Sequence, residues 1–253
     1  FFAPSGNRIY FNAGDASNTD IWYCERKGET WGEPVKLSES VNSSDLEWFV
    51  SLSKKNTLFL ARNGEIYYST SQNGNFNDIV NIGNPVNSIN YGDGDPYISP
   101  NEDYLIFLSV DRPDGFGQGD LYISYKKEND FWTNPKNIGS KVNTAEFEFG
   151  PSLTADGKYF FFSRRKQWLT EEPSKIFWIK SDFVDLLKHT NFVPYLNNKI
   201  SNQSYVVGQS FSYAIPDGAF IDDDGNNTLT YSAVLDNGDS LPSWLNFNSG
   251  TRT

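Results

Sequence analysis

The chain has 253 residues, with 21 Lys and Arg against 32 Asp and Glu and a formal net charge of −11. It therefore lacks the basic stripe that displaces counterions from nucleic acid or holds a protein to an anionic membrane surface. One cysteine (Cys24) excludes an internal disulfide framework and a cysteine-cluster metal site, and one histidine (His189) excludes any mechanism needing two imidazoles.

In chain order, short apolar runs alternate with turn residues and no helical period is present. Ile9-Tyr10-Phe11 is followed by Asp20-Ile21-Trp22-Tyr23, and the pair recurs as Leu58-Phe59-Leu60 with Glu65-Ile66-Tyr67-Tyr68. It appears again as Leu105-Ile106-Phe107 with Asp120-Leu121-Tyr122-Ile123, and as Phe160-Phe161-Phe162 with Lys175-Ile176-Phe177-Trp178. Between the second runs lie Val41-Asn42-Ser43, Val86-Asn87-Ser88 and Val142-Asn143-Thr144, and an aromatic stands at Trp31, Phe76 and Phe131. These registers define a repeat of about 45–55 residues built of several short strands.

Leu105-Ile106-Phe107-Leu108 and Tyr159-Phe160-Phe161-Phe162 are continuous apolar runs, as in strands covered on both faces. A blade of a β-propeller is sandwiched between two neighbours and meets that condition, and large rings fill the wedges between twisted blades. The expected fold is all-β: four propeller blades, part of a set of six, followed by the start of a β-sandwich.

The stretch Asp95-Pro96-Tyr97-Ile98-Ser99-Pro100-Asn101-Glu102-Asp103 continues through Ser109-Val110-Asp111-Arg112-Pro113-Asp114-Gly115 to Asp120-Leu121-Tyr122. With Trp132-Thr133-Asn134-Pro135-Lys136-Asn137-Ile138-Gly139, it resembles the WD-like repeat of TolB-like propellers in the bacterial envelope. The resemblance covers residues 1–188. Lys175 replaces the acid of the fourth repeat, and the second and fourth repeats lack the Asp-Arg-Pro loop. Residue 1 falls inside a repeat and methionine is absent, so further blades are expected upstream. Ser181 to Lys188 reads as a short helix capped by Ser181.

After a linker at 189–192, residues 193–253 show a second pattern. Phe211/Tyr213 and Leu229/Tyr231 alternate like half-buried strands. Leu241-Pro242-Ser243-Trp244-Leu245-Asn246-Phe247 closes the series, and the run resembles dystroglycan-type, cadherin-like (Ig-like) modules of surface proteins. That resemblance implies calcium. Asp222, Asp224 and Asn226 around Gly225 offer hard oxygen ligands at a tight turn, although a solvated acidic turn accounts for them equally well. Asp93 and Asp95 around Gly94 form a poorer pair.

Chemistry beyond calcium is sparse. Gly115-Phe116-Gly117-Gln118-Gly119-Asp120 precedes a strand rather than a helix, which makes it an inter-strand turn and not a phosphate loop. No Gly-x-Ser-x-Gly elbow exists, and Cys24 reads as a small buried hydrophobe. Asp111 and Arg112 are candidate ligand-binding residues at the propeller mouth, or ties that hold their loop by hydrogen bonds and an ion pair. The expected function is non-catalytic: an exported scaffold, periplasmic or extracellular, that binds protein or polysaccharide. The alternatives are a carbohydrate-active hydrolase or lyase and a periplasmic TolB-like protein-interaction partner.

Overall fold

The computed structural model describes residues 1–253 apart from 16–17, 89, 129, 169–171 and 226–228. Its chain divides into two units, Phe1–Thr190 and Asn191–Thr253.

In the first unit each sequence repeat forms one antiparallel sheet. The first sheet holds β1 (Arg8–Gly14), β2 (Thr19–Lys27), β3 (Thr30–Trp31) and β4 (Val35–Lys36). The second runs β5 (Glu47–Leu52), β6 (Leu58–Arg62), β7 (Glu65–Ser69), with a small hairpin β8 (Ser71–Gln72) and β9 (Asn75–Phe76) before its outer strand β10 (Val80–Asn81). The third is β11 (Gly92–Ile98), β12 (Tyr104–Val110), β13 (Asp120–Tyr125) and β14 (Lys136–Asn137), in that spatial order. The fourth has β15 (Phe147–Leu153), β16 (Tyr159–Arg165) and β17 (Lys175–Lys180).

The meander order, with β11 packed on β5 and β6 and β15 packed on β11 and β12, is that of successive propeller blades. Double burial holds in β12, where Leu105, Ile106 and Phe107 are adjacent and all buried, but not in β16, where Phe160 and Phe162 are buried while Tyr159 and Phe161 are exposed because no described blade packs on that side. Leu58 and Leu60 join Tyr10, Ile21 and Val41 between blades one and two, while Phe59 and Ile66 join Leu105, Phe107 and Tyr122 between blades two and three. Blade one keeps only an isolated bridge, Phe2 to Ile9, where the later blades have an inner strand.

The inner strands of blades two to four share a register shift, between Trp48/Ser51, Gly94/Tyr97 and Phe149/Ser152. A left-handed residue sits in each: Phe49 at φ 43°, Asp95 at 48° and Gly150 at 60°. The bulge thus recurs even where the residue is not glycine, and a non-glycine there carries strain of about 1–3 kcal/mol.

The helix α1 (Phe183–Lys188) follows β17, but its cap differs from the sequence expectation. Asp182 occupies the N-cap without a side-chain bond, and Ser181 Oγ donates instead to the Gly157 carbonyl. The neighbouring strand turn thus takes the hydroxyl that the helix start would have used. Tyr125 Oη donates to the Val184 carbonyl at 2.6 Å and Lys136 Nζ to the Leu187 carbonyl at 2.8 Å, fixing α1 on blade three.

In the second unit the described strands are β18 (Tyr195–Leu196) and β19 (Phe220–Ile221), paired antiparallel. The segments around Phe211/Tyr213 and Leu229/Tyr231 carry no described ladder. Among the described residues of this unit only Phe192 and Ala219 are buried hydrophobics, so little apolar burial offsets the entropy of fixing further strands.

Candidate functional site

The repeat motifs first account for one another. Asn42, Asn87 and Asn143 are buried side chains that clamp the third strand of their blade. Their Oδ1 atoms accept from the backbone N–H of Ile21, Ile66 and Leu121 at 2.8, 2.8 and 2.9 Å. Their Nδ2 atoms donate back to the carbonyls of the same residues at 3.0, 2.8 and 2.9 Å.

One residue on, Ser43 and Thr144 donate through their hydroxyls to the buried carboxylates of Glu47 and Glu148, and the Ser88 backbone N–H donates to Asp93. Each of these acids pairs with an arginine: Arg62 to Glu47 at 2.7 Å, Arg112 to Asp93 at 3.0 Å and Arg164 to Glu148 at 2.6 Å. The same arginines donate to the carbonyls of Val41, Val86 and Val142. Every Val-Asn-Ser/Thr linker is therefore held from both sides, by its own blade through Asn and by the next through Arg. Burial pushes the carboxyl groups of Asp93 and Glu148 upward, and the hydrogen bonds and arginines oppose that push.

Arg112 consequently lies inside this network, over the rings of Tyr91, Phe107 and Tyr122 at 5.1, 5.6 and 5.3 Å. Its ion-pair partner is Asp93, whereas Asp111 is exposed at φ 66°. The blades without an Asp-Arg-Pro loop supply the equivalent cation from the second strand, as Arg62 and Arg164. Asp95 makes a different contact from Asp93, described below, so Asp93 and Asp95 share no ligand position.

The glycine-rich loop closes on its own chain. Asp120 Oδ2 accepts from Phe116 N at 2.8 Å and Gly117 N at 3.2 Å, so the loop's anion is an internal carboxylate. Gly119 has to be glycine, since a Cβ there would meet the Phe147 ring at 2.4 Å. Cys24 is buried and His189 is exposed at the end of α1. In the second unit Asp222 Oδ1 accepts from Asp224 N at 2.9 Å, and Asp224 Oδ2 accepts from Phe192 N at 2.6 Å. Asn226 lies outside the described residues. Asp222 and Asp224 are two carboxylates, fewer than the six to eight oxygen ligands that calcium takes.

The group of side chains that no repeat rule explains gathers the inner-strand bulges of blades three and four with the end of β16. Asp95 Oδ2 accepts from Gly150 N at 2.9 Å, and the Phe49 ring stands 3.9 Å from the Cβ position of Gly150. Burial pushes the Asp95 carboxyl up to about 7, against the Gly150 N–H and the charge of Arg165. The Arg165 guanidinium packs on three rings, Phe147 at 5.4 Å, Phe149 at 4.9 Å and Trp168 at 4.7 Å. Its Nε is buried and has no hydrogen-bond partner among the described residues.

Trp168 is half exposed, and Trp48 of the neighbouring inner strand is exposed. The arrangement thus offers a ring-oriented guanidinium on a half-buried arginine whose Nε is buried, a carboxyl pushed up to about 7, and open aromatic faces. Asp95 is visible in the sequence as half of the poorer Asp93/Asp95 calcium pair, and Arg165 only as the second member of an Arg-Arg pair. The signal for Arg165 is positional: Arg164 already fills the repeat's cation position, which leaves its neighbour surplus.

Comparison with known proteins gives one family match, to the model described as "Putative Ig domain", over residues 193–253. The second unit is therefore Ig-like. No curated protein matches the chain. Among solved structures, a "putative TolB" from Agrobacterium tumefaciens is 14% identical with a TM-score of 0.47, over 72% of this chain and 60% of that one. A structure described as a glycoside hydrolase is 15% identical with a TM-score of 0.47, over 70% and 63%. The Bacteroides ovatus protein xyloglucan PUL GH43B is 13% identical with a TM-score of 0.40, over 69% and 38%. The chain thus spans less than two thirds of the length of each of these structures. The propeller assignment rests on the four sheets themselves. Among the described residues no helix is long and apolar enough to cross a membrane.

Proposed function

We propose that the propeller unit is a non-catalytic binding module of an exported bacterial protein, and that the Ig-like unit serves adhesion or spacing. Its ligand carries a carboxylate, on a polysaccharide or a protein, and docks where Arg165, Trp168, Phe149 and Asp95 converge. The supporting observation is Arg165, packed on three rings with its Nε without a partner among the described residues. A guanidinium held this way has lost water and rotamer freedom in advance, which favours an anion that completes its hydrogen bonds. Trp168 supplies an open apolar face for a sugar ring or an aromatic side chain.

Affinity electrophoresis tests this reading. Migration is expected to slow in gels containing a polyuronate and to stay unchanged in a neutral glucan, and Arg165→Gln is expected to abolish the retardation. Equal migration of parent and variant in every gel contradicts a glycan-carried carboxylate. If the parent is unretarded yet co-purifies with an envelope protein in an Arg165-dependent way, the carboxylate is carried by protein.

One observation favours a second reading. Asp95, at about 7, is shared between acid and base forms at neutral pH, as a general acid in a carbohydrate-active hydrolase or lyase requires. Release of new reducing ends from a polysaccharide, lost in Asp95→Asn, establishes that reading instead.

A further inference from the structure

On the side of the turns that join inner to second strand, an internal carboxylate ties blade three to blade two. Glu102 is buried and takes a left-handed turn position at φ 64°. Its Oε1 accepts from Ser53 Oγ at 2.6 Å and Thr57 Oγ1 at 2.7 Å, both of blade two. Its Oε2 meets Lys55 Nζ at 3.3 Å and Lys126 Nζ at 3.6 Å.

The same register between blades one and two holds a cavity instead. The pairs Leu52–Leu58 and Ile98–Leu105, with the bridge Phe2–Ile9, align the three turns. Asn56 then stands where Glu102 does, with the same left-handed backbone at φ 59°, and Ala3, Ser5 and Arg8 stand where Ser53, Lys55 and Thr57 do. Counted from the start of the third strand, Ser71 takes the place of Lys126. Phe76 takes the place of Trp132: each pairs back across its hairpin, and each lies edge-on to a second-strand ring, Tyr10 at 6.4 Å and Phe59 at 6.5 Å. Ala3, Ser5, Arg8, Asn56, Ser71 and Phe76 all line one cavity of about 300 Å³. Its floor, Tyr10 and Phe76, belongs to the core between blades one and two, so the cavity lies at an internal boundary of the unit.

The exchange of residues removes charge. Two lysines give way to serines and the carboxylate to an amide, and the charged lining residues among those described are Arg8 and Glu25, paired at 2.6 Å. We propose that this cavity is a binding site for one neutral sugar unit, either a free monosaccharide or the end of a chain. Serine hydroxyls and the Asn56 amide both donate and accept, as sugar hydroxyls do, and the Phe76 ring offers an apolar wall to the C–H face of the sugar. Arg8 and Glu25 add a donor edge and an acceptor side by side, which suits neighbouring hydroxyls. An acid fits less well, because Glu25 already occupies the guanidinium and repels a second carboxylate. The volume admits one unit, so an inner stretch of a long polysaccharide does not enter. The site shares no residue with that of Arg165.

The test is saturation-transfer NMR on the 253-residue chain with galactose, glucose, mannose, xylose and N-acetylglucosamine, and with galacturonate as the charged comparison. Asn56→Glu rebuilds the Glu102 arrangement inside the cavity, and Ser71→Lys restores its lysine. Because Glu102 already adopts this backbone, Asn56→Glu is expected to keep the parent's melting temperature; Ser71→Lys gives a second reading that does not depend on it. At least one neutral sugar is expected to bind the parent, and each variant to weaken that binding by at least about tenfold. Three results overturn the proposal: no neutral sugar bound by the parent, neutral-sugar binding unchanged in both variants, or galacturonate bound more tightly than every neutral sugar and lost in Asn56→Glu. The last would make the cavity an anion site.

Discussion

Replacing Asn143 with alanine removes the side chain that accepts from Leu121 N at 2.9 Å and donates to the Leu121 carbonyl at 2.9 Å and to Asn137 Oδ1 at 2.7 Å. The Leu121 carbonyl keeps a second partner, Ile138 N at 3.1 Å. The Leu121 N–H points away from β12 and lies in a strand buried along its whole length, so it is left without a partner. An orphaned buried donor costs about 1–3 kcal/mol, and the two lost donations add about 1 kcal/mol between them, for a total of about 3 kcal/mol. With a urea slope of about 2–3 kcal/mol/M for a domain of this size, the unfolding midpoint should fall by about 1 M. Urea titration followed by circular dichroism measures this, with the exposed Asn75→Ala as a control that leaves the midpoint in place. Asn42→Ala and Asn87→Ala should fall by similar amounts, because their clamps on Ile21 and Ile66 have the same geometry. Midpoints that match the Asn75→Ala control would refute the clamp as the element that holds each linker to its blade.

Three further outcomes follow from the same contacts. Arg164→Met leaves the fully buried Glu148 carboxylate without its cation, and calorimetry should show a loss of about 3–5 kcal/mol, part of which the double variant with Glu148→Gln restores. Asp95 binds its proton more tightly folded than unfolded, so its contribution falls as pH rises from its ordinary 3.8 to about 7, by about 4 kcal/mol at most. Asp95→Asn should therefore be more stable than the parent at pH 8 and similar to it at pH 4, and an equal difference at both pH values contradicts the burial argument. If Asp222 and Asp224 hold calcium, millimolar calcium should raise the melting transition of the second unit, EDTA should reverse it and Asp222→Asn should remove it; an unmoved parent takes calcium out of the account.

Blade count, strand positions and the doubly buried runs were legible because each repeat writes the same pattern, and a residue such as Phe107 has one reading once its neighbours Ile106 and Leu108 are apolar too. The acid–arginine network was only half legible. Glu47 and Glu148 stand out before aromatics, but the arginine arrives from β6 and β16 in two blades and from a loop in the third, so no fixed spacing announces it. Asp111 and Arg112 are adjacent charges in the sequence but stand in different surroundings: Arg112 turns inward to Asp93 while Asp111 takes an exposed left-handed turn position. Arg165, at the end of the second strand of blade four, and Asp95, on the inner strand of blade three, lie 70 residues apart and come together by blade packing rather than by any local pattern. The second unit shows the converse case, in which a family match is clear while its alternating residues form little ladder among those described.

The site of Arg165, Trp168 and Asp95 is proposed to bind a carboxylate-bearing ligand without transforming it. Calorimetric titration with a uronate oligosaccharide and with an acidic peptide, each sample assayed afterwards for cleavage products, tests this most directly. Saturable heat is expected with one of the two ligands, lost in Arg165→Gln, with the ligand recovered intact. Product release that depends on Asp95, or heat unchanged by Arg165→Gln, would contradict the proposal.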